Sequence, residues 1–339
     1  MQTITEIMEE YDKVHIPKEN YKVPSKDVKM NKDGTLSFNS MEGSYTLTDH
    51  SFQQLVEKVR TLAGLSASSM PVKYFKACPS HSRAYQINDW INHYKDDKEW
   101  LFRAEPNGRI KAVLSDNYSI MDNQELLNTI YETQGGDIKF TDAWMSTDSL
   151  HLRYTDEQTR KGFNKTATLA GYHISNGEVG NSSVNVGFLV YQLICSNGLM
   201  GIKEDPIFRK RHVGDMDISY DFAAALEDFN ITEAEEIVEG FVATNDVEIE
   251  DNPEHVFRAI QQNYPQITNN VVDLAKENVE NYEGRLTKFS LISSITESIR
   301  DLYSTDDRYK MEKVAGRLYK NNRLTLREGE ETKIIKLGA

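Results

Sequence analysis

The sequence predicts an α+β fold: an antiparallel sheet built from hairpins with packed helices over residues 1–215, followed by a mainly helical acidic region over residues 216–339. Three observations carry this expectation. From Val184 to Ile194 the apolar residues fall on both parities, as in a strand covered on both faces. Turn dipeptides such as Asn107-Gly108, Asn176-Gly177 and Asn197-Gly198 separate short alternating segments. Beyond about residue 215 the apolar spacing changes to three and four, and acidic residues crowd between.

The elements follow in order. Residues 1–47 read as a short helix, then irregular or hairpin structure around Asn31-Lys32-Asp33-Gly34. Asp49 is placed to cap a helix whose stripe is Phe52, Leu55, Val56, Val59 and Leu62, stopped by Gly64. Two or three short helices fill 66–97. Trp100–Ala104 and Arg109–Ser115 form a hairpin over Glu105-Pro106-Asn107-Gly108. Asp122 with Glu125 reads as a capping box for a helix ended by Gly135-Gly136. Ile138–Met145 and Leu150–Tyr154 form a further antiparallel pair, and Thr155–Lys165 a polar loop or extended hairpin tip. The stretch Gly171–Gly201 reads as the central hairpin, with a buried helix as the rival for its apolar run; Gly187 speaks against the helix. Its small residues serve turns, or leave room for a close approach.

In the last third, Thr232 with Glu235 reads as a capping box, and Asn252-Pro253 opens another helix. In residues 308–321 an apolar stripe of Met311, Val314, Ala315 and Leu318 runs beside a basic one of Lys310, Lys313, Arg317 and Lys320.

A chain of 339 residues is long enough for a sizeable core. No stretch approaches the ~18 apolar residues of a membrane span. The acidic start, MQTITEIMEEYDK, lacks an export signal. Cys78 and Cys195 make neither a metal-ligand spacing nor a disulfide framework, so a cytoplasmic protein without a membrane partner is expected, with Cys195 a core thiol. The net charge of −14 is local: residues 219–306 hold 19 of the 53 acids and 5 of the 39 bases, which leaves the remainder neutral.

No phosphate loop, GxGxxG, HExxH or GxSxG motif is present, and neither an enzymatic activity nor a cofactor is expected. Asp205, Asp215, Asp217 and Asp221 form a loose acidic run that could ligate Mg²⁺, and a solvated loop accounts for it more simply. Basic residues recur on the hairpins: Arg103, Arg109 and Lys111; Arg153, Arg160, Lys161 and Lys165; Arg209, Lys210, Arg211 and His212. Phe102, Tyr118, Tyr154, Phe163, Tyr172 and Phe208 interleave them. Cations neutralise phosphates and exposed aromatics stack bases, which is how sequence-tolerant single-strand binders work. The solvated face of a sheet would give the same pattern.

Two blocks resemble a known family. The first runs Phe102-Arg103-Ala104, then Arg109 to Tyr118, with Asp122-Asn123 beyond. The second is Asn176-Gly177-Glu178-Val179-Gly180, an apolar run, then Cys195-Ser196-Asn197-Gly198, with Arg211-His212 downstream. Together these resemble the phage/plasmid-like protein family that shares domain of unknown function 932, over roughly residues 40–300. Lys111 stands where that family more often has arginine, and Gly177 where it has serine. The resemblance implies a role on phages or plasmids, in DNA replication, recombination or defence evasion, rather than a reaction. The order of hairpins and helix is also similar to the core of single-strand annealing proteins.

The expectation is a non-enzymatic, homo-oligomeric phage or plasmid protein that binds or anneals single-stranded nucleic acid, DNA rather than RNA. An alternative is a factor that binds a basic host or phage protein through residues 219–306. A Mg²⁺-dependent nuclease is the third reading.

Overall fold

The computed structural model describes residues 1–66, 68, 71–94, 97–162, 167–192, 197–200, 206–214, 218–282, 285–303 and 305–337. The fold is α+β. The chain opens with β1 (Gln2–Thr3) and α1 (Ile4–Val14), then β2 (Glu19–Pro24), β3 (Val28–Met30), β4 (Leu36–Phe38) and β5 (Met41–Leu47). Three helices follow: α2 (Asp49–Leu62), α3 (Val72–Ala77) and α4 (Ser80–His93). The predicted hairpin is β6 (Glu99–Ala104) and β7 (Arg109–Ser115). The first sheet has the order β2-β6-β7-β5-β4-β3, antiparallel except for the parallel pair β5–β7. Its core joins Val23, Phe38, Phe102 and Val113 to the stripe Phe52, Leu55, Val56 and Val59 of α2. The cap of α2 is Thr48, whose hydroxyl accepts the Ser51 N–H at 3.1 Å, and Asp49 is the first-turn acid instead.

Next come α5 (Asn123–Gln134), β8 (Lys139–Phe140), β9 (Asp142–Met145), β10 (Ser149–Lys161), β11 (Thr168–Gly177), β12 (Val184–Gln192), β13 (Asn197–Met200) and β14 (Phe208–Lys210). The second sheet has the order β13-β12-β11-β10-β9, with β14 also on β12. The central stretch is therefore a hairpin, as its β-branched and aromatic content favours. Leu193, Ile194 and Cys195 lie outside the described residues. Of the segment expected as a polar loop or extended hairpin tip, the part up to Lys161 extends β10 as a hairpin arm, with an irregularity after Asp156 and Lys161 opposite Thr168; residues 163–166 lie outside the described residues.

Alternation gives the second sheet two faces. On one, Tyr154 stacks on Tyr172 at 4.8 Å among Leu150, Leu152, Ile174, Val184 and Val186. On the other, His151 stacks near His173 at 6.0 Å, and the face is polar. The apolar face is covered by α1, α5 and α6 (Ile218–Glu227).

The last third comprises α7 (Ile231–Ala243), α8 (Pro253–Asn263), α9 (Asn269–Asn278), α10 (Lys288–Leu302), α11 (Thr305–Lys320) and the hairpin β15 (Arg323–Glu328) and β16 (Glu331–Lys336), which the sequence pattern did not announce. Asn230, not Thr232, caps α7, accepting the Thr232 N–H at 3.0 Å. Asn252 caps α8 with Pro253 in its first turn. Helix α10 is buried on nearly every side. Its polar residues survive there because they bond backward: Ser294 to the Leu291 carbonyl at 2.9 Å, and Ser298 to the Ser294 carbonyl at 2.8 Å. One apolar core joins Ala170, Phe188 and Val190 of the sheet to Val238, Phe241, Phe257, Ile292 and Leu318, so the core runs through the boundary expected at 215. No helix among the described residues is long and apolar enough to cross a membrane.

Candidate nucleic-acid interface

The motif residues converge at the seam between the two sheets. Arg103 is fully buried. Its guanidinium donates to the Glu178 carbonyl at 2.7 Å, to Asp122 at 2.5 Å and to Asn20 at 3.0 Å. The Glu178 carboxylate, also fully buried, accepts the Tyr11 hydroxyl at 3.0 Å, the Asn123 N–H at 2.6 Å and the Lys18 ammonium. Asn176 donates to the Met121 carbonyl and to Asn123, both at 2.9 Å. His212 lies flat against Tyr118, 4.9 Å between centroids, with one ring nitrogen 3.0 Å from the Ser119 carbonyl and the other 3.0 Å from Asn176 Oδ1. Burial pushes the His212 pKa down, and the Ser119 carbonyl works the other way.

Four predicted phosphate contacts are therefore corrected. Arg103 and His212 are part of this buried network. Lys111 is buried against Asp148 at 2.7 Å and Glu105 at 3.5 Å. Arg153 is buried against Glu312 at 2.5 Å. A guanidinium or ammonium taken out of water must be paired, and these four positions are used up in holding the fold together. The motif residues Asn176, Glu178 and Gly180 likewise serve the seam. Gly177 is the last residue of β11 rather than a left-handed turn residue. Its role is space: a Cβ there would lie 2.0 Å from Asn181 Oδ1 and 2.4 Å from Ser182 Oγ. The positive φ of the turn, +74°, belongs to Gly180. Asn197 and Gly198 pair through β13 with Gln192 and Tyr191.

Of the other predicted cations, Lys161 pairs with Glu239 of the acidic helix α7 at 2.8 Å. Arg160 faces Glu157 at 3.4 Å, and Lys210 bonds Asp221 at 3.0 Å. Arg109 is exposed at the start of β7, away from the others. Lys165 lies outside the described residues, as do Asp205, Asp215 and Asp217 of the loose acidic run. No cluster of three or more potential metal ligands occurs among the described residues.

Arg209 and Arg211 remain, and they meet a residue that the sequence pattern does not mark. A cleft of about 330 Å³ is lined by Lys58 of α2, Ser115 at the end of β7, Tyr118 beyond it, the β11–β12 turn from Gly180 to Ser183, and Arg209, Arg211 and His212. Among the described residues, none of Lys58, Arg209 and Arg211 has an ion-pair partner. Desolvation lowers the Lys58 pKa, with Asp116 and Glu57 only partly opposing it. Arg209 also presses on Lys313 of α11, whose pKa falls first through desolvation and then through that like charge. Lys313 thus lies within electrostatic reach of Arg209, although it lines no part of the cleft. No sequence signal marks Lys58, because it flanks an ordinary core stripe and reaches the cleft only through packing. Cations around serine hydroxyls and a side-chain amide suit a phosphate oxyanion.

No family model, curated protein or solved structure matches the chain, so the likeness to the phage and plasmid family rests on its two motif blocks.

Proposed function

We propose that this protein binds single-stranded nucleic acid, DNA in preference to RNA, and acts without catalysis as an annealing-type factor in phage or plasmid replication or recombination. Lys58, Arg209 and Arg211 contact backbone phosphates, with Lys313 extending the path. The observation that carries the reading is the cleft itself, where these three cations meet hydroxyl and amide donors with no protein carboxylate paired to them among the described residues. An incoming phosphate would relieve the repulsion between Arg209 and Lys313 and release counterions. The motif blocks support it indirectly, since they build the seam on which the cleft stands.

The test is fluorescence anisotropy of a labelled single-stranded oligonucleotide at two salt concentrations. Wild-type protein should bind saturably and lose affinity steeply with salt. Arg209→Ala with Arg211→Ala should cut affinity at least tenfold and reduce the salt slope by about two, one for each phosphate no longer neutralised. A double variant that binds with wild-type affinity and slope would remove the assignment.

A further inference from the structure

In the phosphate cleft the two rings, Tyr118 and His212, lie flat against each other, which leaves mainly cations, hydroxyls and an amide to meet a ligand. An open ring stands elsewhere, on α4. Tyr85 is 74% exposed; among the described residues its ring meets no other ring or cation, and its hydroxyl makes no hydrogen bond. Two other exposed tyrosines on or beside the same pair of helices are already engaged. Tyr94 stacks on Trp90 at 5.6 Å, and Tyr74 meets Phe75 edge-on at 5.3 Å.

Tyr85 lines a groove of about 410 Å³ between α4 and the β3–β4 turn. Strand β3 is an edge of the first sheet, and Asn88 seals it: its amide donates to the Met30 carbonyl and accepts the Met30 N–H, both at 2.8 Å. The same two bonds fix the helix against the strand, so the groove is preformed. The turn is held by Asn31, whose N–H bonds the Thr35 carbonyl at 2.7 Å and whose amide bonds the Thr35 hydroxyl at 3.0 Å. The two walls differ in character. The turn side carries Lys29 and Lys32, both exposed and without an ion-pair partner among the described residues. The helix side carries His81, Tyr85, Asp89 and Asn92, which follow one another at three or four residues and so share one face. They span about 16 Å of helix axis.

We propose that this groove seats an unpaired base of the bound single strand, stacked on Tyr85, with the adjoining phosphates against Lys29 and Lys32. Stacking on a side chain needs a base free of its complement, so the groove supplies a preference for single strands that phosphate contacts alone do not give. Asp89 is the one acid in the lining, and it stands on the base side, where it accepts from an exocyclic amino group instead of facing a phosphate. An acidic peptide would match the two lysines, but its carboxylates would meet Asp89 and its chain would give Tyr85 no planar partner. The assignment rests on the nucleic-acid reading above. It uses different residues from the phosphate cleft, which is built from α2, β14 and the β11–β12 turn, so each can fail without the other.

The probes are a labelled single-stranded oligodeoxycytidylate and an abasic oligonucleotide of the same length, each titrated with the full chain and followed by anisotropy. Tyr85→Ala should weaken binding of the first about tenfold, with its salt slope unchanged, and leave the abasic probe within twofold of wild type. Tyr85→Phe should bind as wild type does, because the hydroxyl is not needed for stacking. Lys29→Ala with Lys32→Ala should lower the salt slope of both probes by about two. All three side chains are exposed, so their replacement spares the core. Wild-type affinity of Tyr85→Ala for oligodeoxycytidylate, or an equal loss on both probes, would overturn the proposal and leave the Arg209 and Arg211 assignment standing. A full Tyr85 effect beside indifference to Arg209→Ala with Arg211→Ala would keep the groove and remove the cleft. A wild type that binds neither probe would overturn both. Labelled polyglutamate that binds as tightly as the oligonucleotide, and is weakened by Tyr85→Ala, would also overturn the proposal, since the groove would then belong to an acidic protein segment.

Discussion

The Glu178 carboxylate accepts the backbone N–H of Asn123 at 2.6 Å, so the first turn of α5 is capped by a residue 55 positions away. Asp122, the local cap expected from the sequence, makes no cap bond; its carboxylate holds Arg103 instead. The cap that spacing assigns to Asp122 is thus supplied by Glu178. Glu178 also gathers Tyr11 and Lys18, and so ties the N-terminal helix, the loop before β2 and the central hairpin to one carboxylate. Replacing it by alanine orphans the helix N–H and the Tyr11 hydroxyl, and leaves the covered Lys18 ammonium only the Thr147 carbonyl and Asp148 at 3.7 Å. Glu178→Ala should lower unfolding free energy by about 3–5 kcal/mol, read as the shift of a urea midpoint. A change below about 1 kcal/mol would show that the cluster contributes little beyond packing.

The pair Arg153–Glu312 gives a second prediction. It links β10 to α11 with both side chains almost completely covered. Arg153→Met alone leaves Glu312 to Arg308 at 3.1 Å, whereas Glu312→Gln leaves two guanidinium groups to share the single carboxylate of Asp142, at 3.6 and 3.8 Å. The second change should therefore destabilise more, by about 3–5 kcal/mol. The double variant should recover part of the loss in a double-mutant cycle.

Acid should destabilise the second sheet. Burial, with help from Lys313 and Arg153, pushes His151 to about 3, and His173 falls well below its ordinary value for the same reasons. Both folded-state values lie below the unfolded value near 6.5. The unfolded chain therefore binds these protons first, and stability present at neutral pH is lost as pH falls from about 6.5 toward 3. Melting temperature measured between pH 7.5 and 5 should drop, and more gently in His151→Gln with His173→Gln. An identical pH profile in that variant would move the cause to other groups.

What the sequence made legible follows from how local each signal is. Alternation on both parities marks β12, and Asn252-Pro253 marks the start of α8, because both are decided by neighbouring residues. The sign and count of basic residues were legible too, but not their depth. Nothing near Arg103 in the chain reveals that Asp122 and the Glu178 carbonyl will surround it. Nor does Glu57-Lys58 reveal a cleft wall, since the other lining residues lie more than fifty positions downstream. The last hairpin was missed because Arg323–Lys336 is short and charged, and its apolar side is supplied by Leu324, Leu326 and Ile335 against distant helices.

Arg109 supplies the control for the phosphate site. It is as basic as Arg209 and just as exposed, but it lies at the start of β7 and lines no part of the cleft. Arg109→Ala should leave oligonucleotide affinity within twofold of wild type and the salt slope unchanged. A loss comparable to that of Arg209→Ala would mean that phosphates are neutralised by diffuse charge rather than at the cleft.

Gly177 connects fold and site most directly. Alanine there places a methyl carbon 2.0 Å from Asn181 Oδ1 and 2.4 Å from Ser182 Oγ, closer than any real contact allows, so the turn that lines the cleft must shift. Overpacking of this kind costs about 1–3 kcal/mol. Because Asn181 also donates to Ser149 at 3.0 Å, the shift breaks a bond that anchors the turn to β10. Gly177→Ala should therefore lose both stability and oligonucleotide affinity. Adding Asn181→Gly and Ser182→Gly removes the clashing atoms and should restore most of the stability. Affinity should recover less, because the amide and hydroxyl that face a phosphate are then gone. Full recovery of both would reduce the turn to a spacer and leave phosphate contact to Lys58, Arg209 and Arg211 alone.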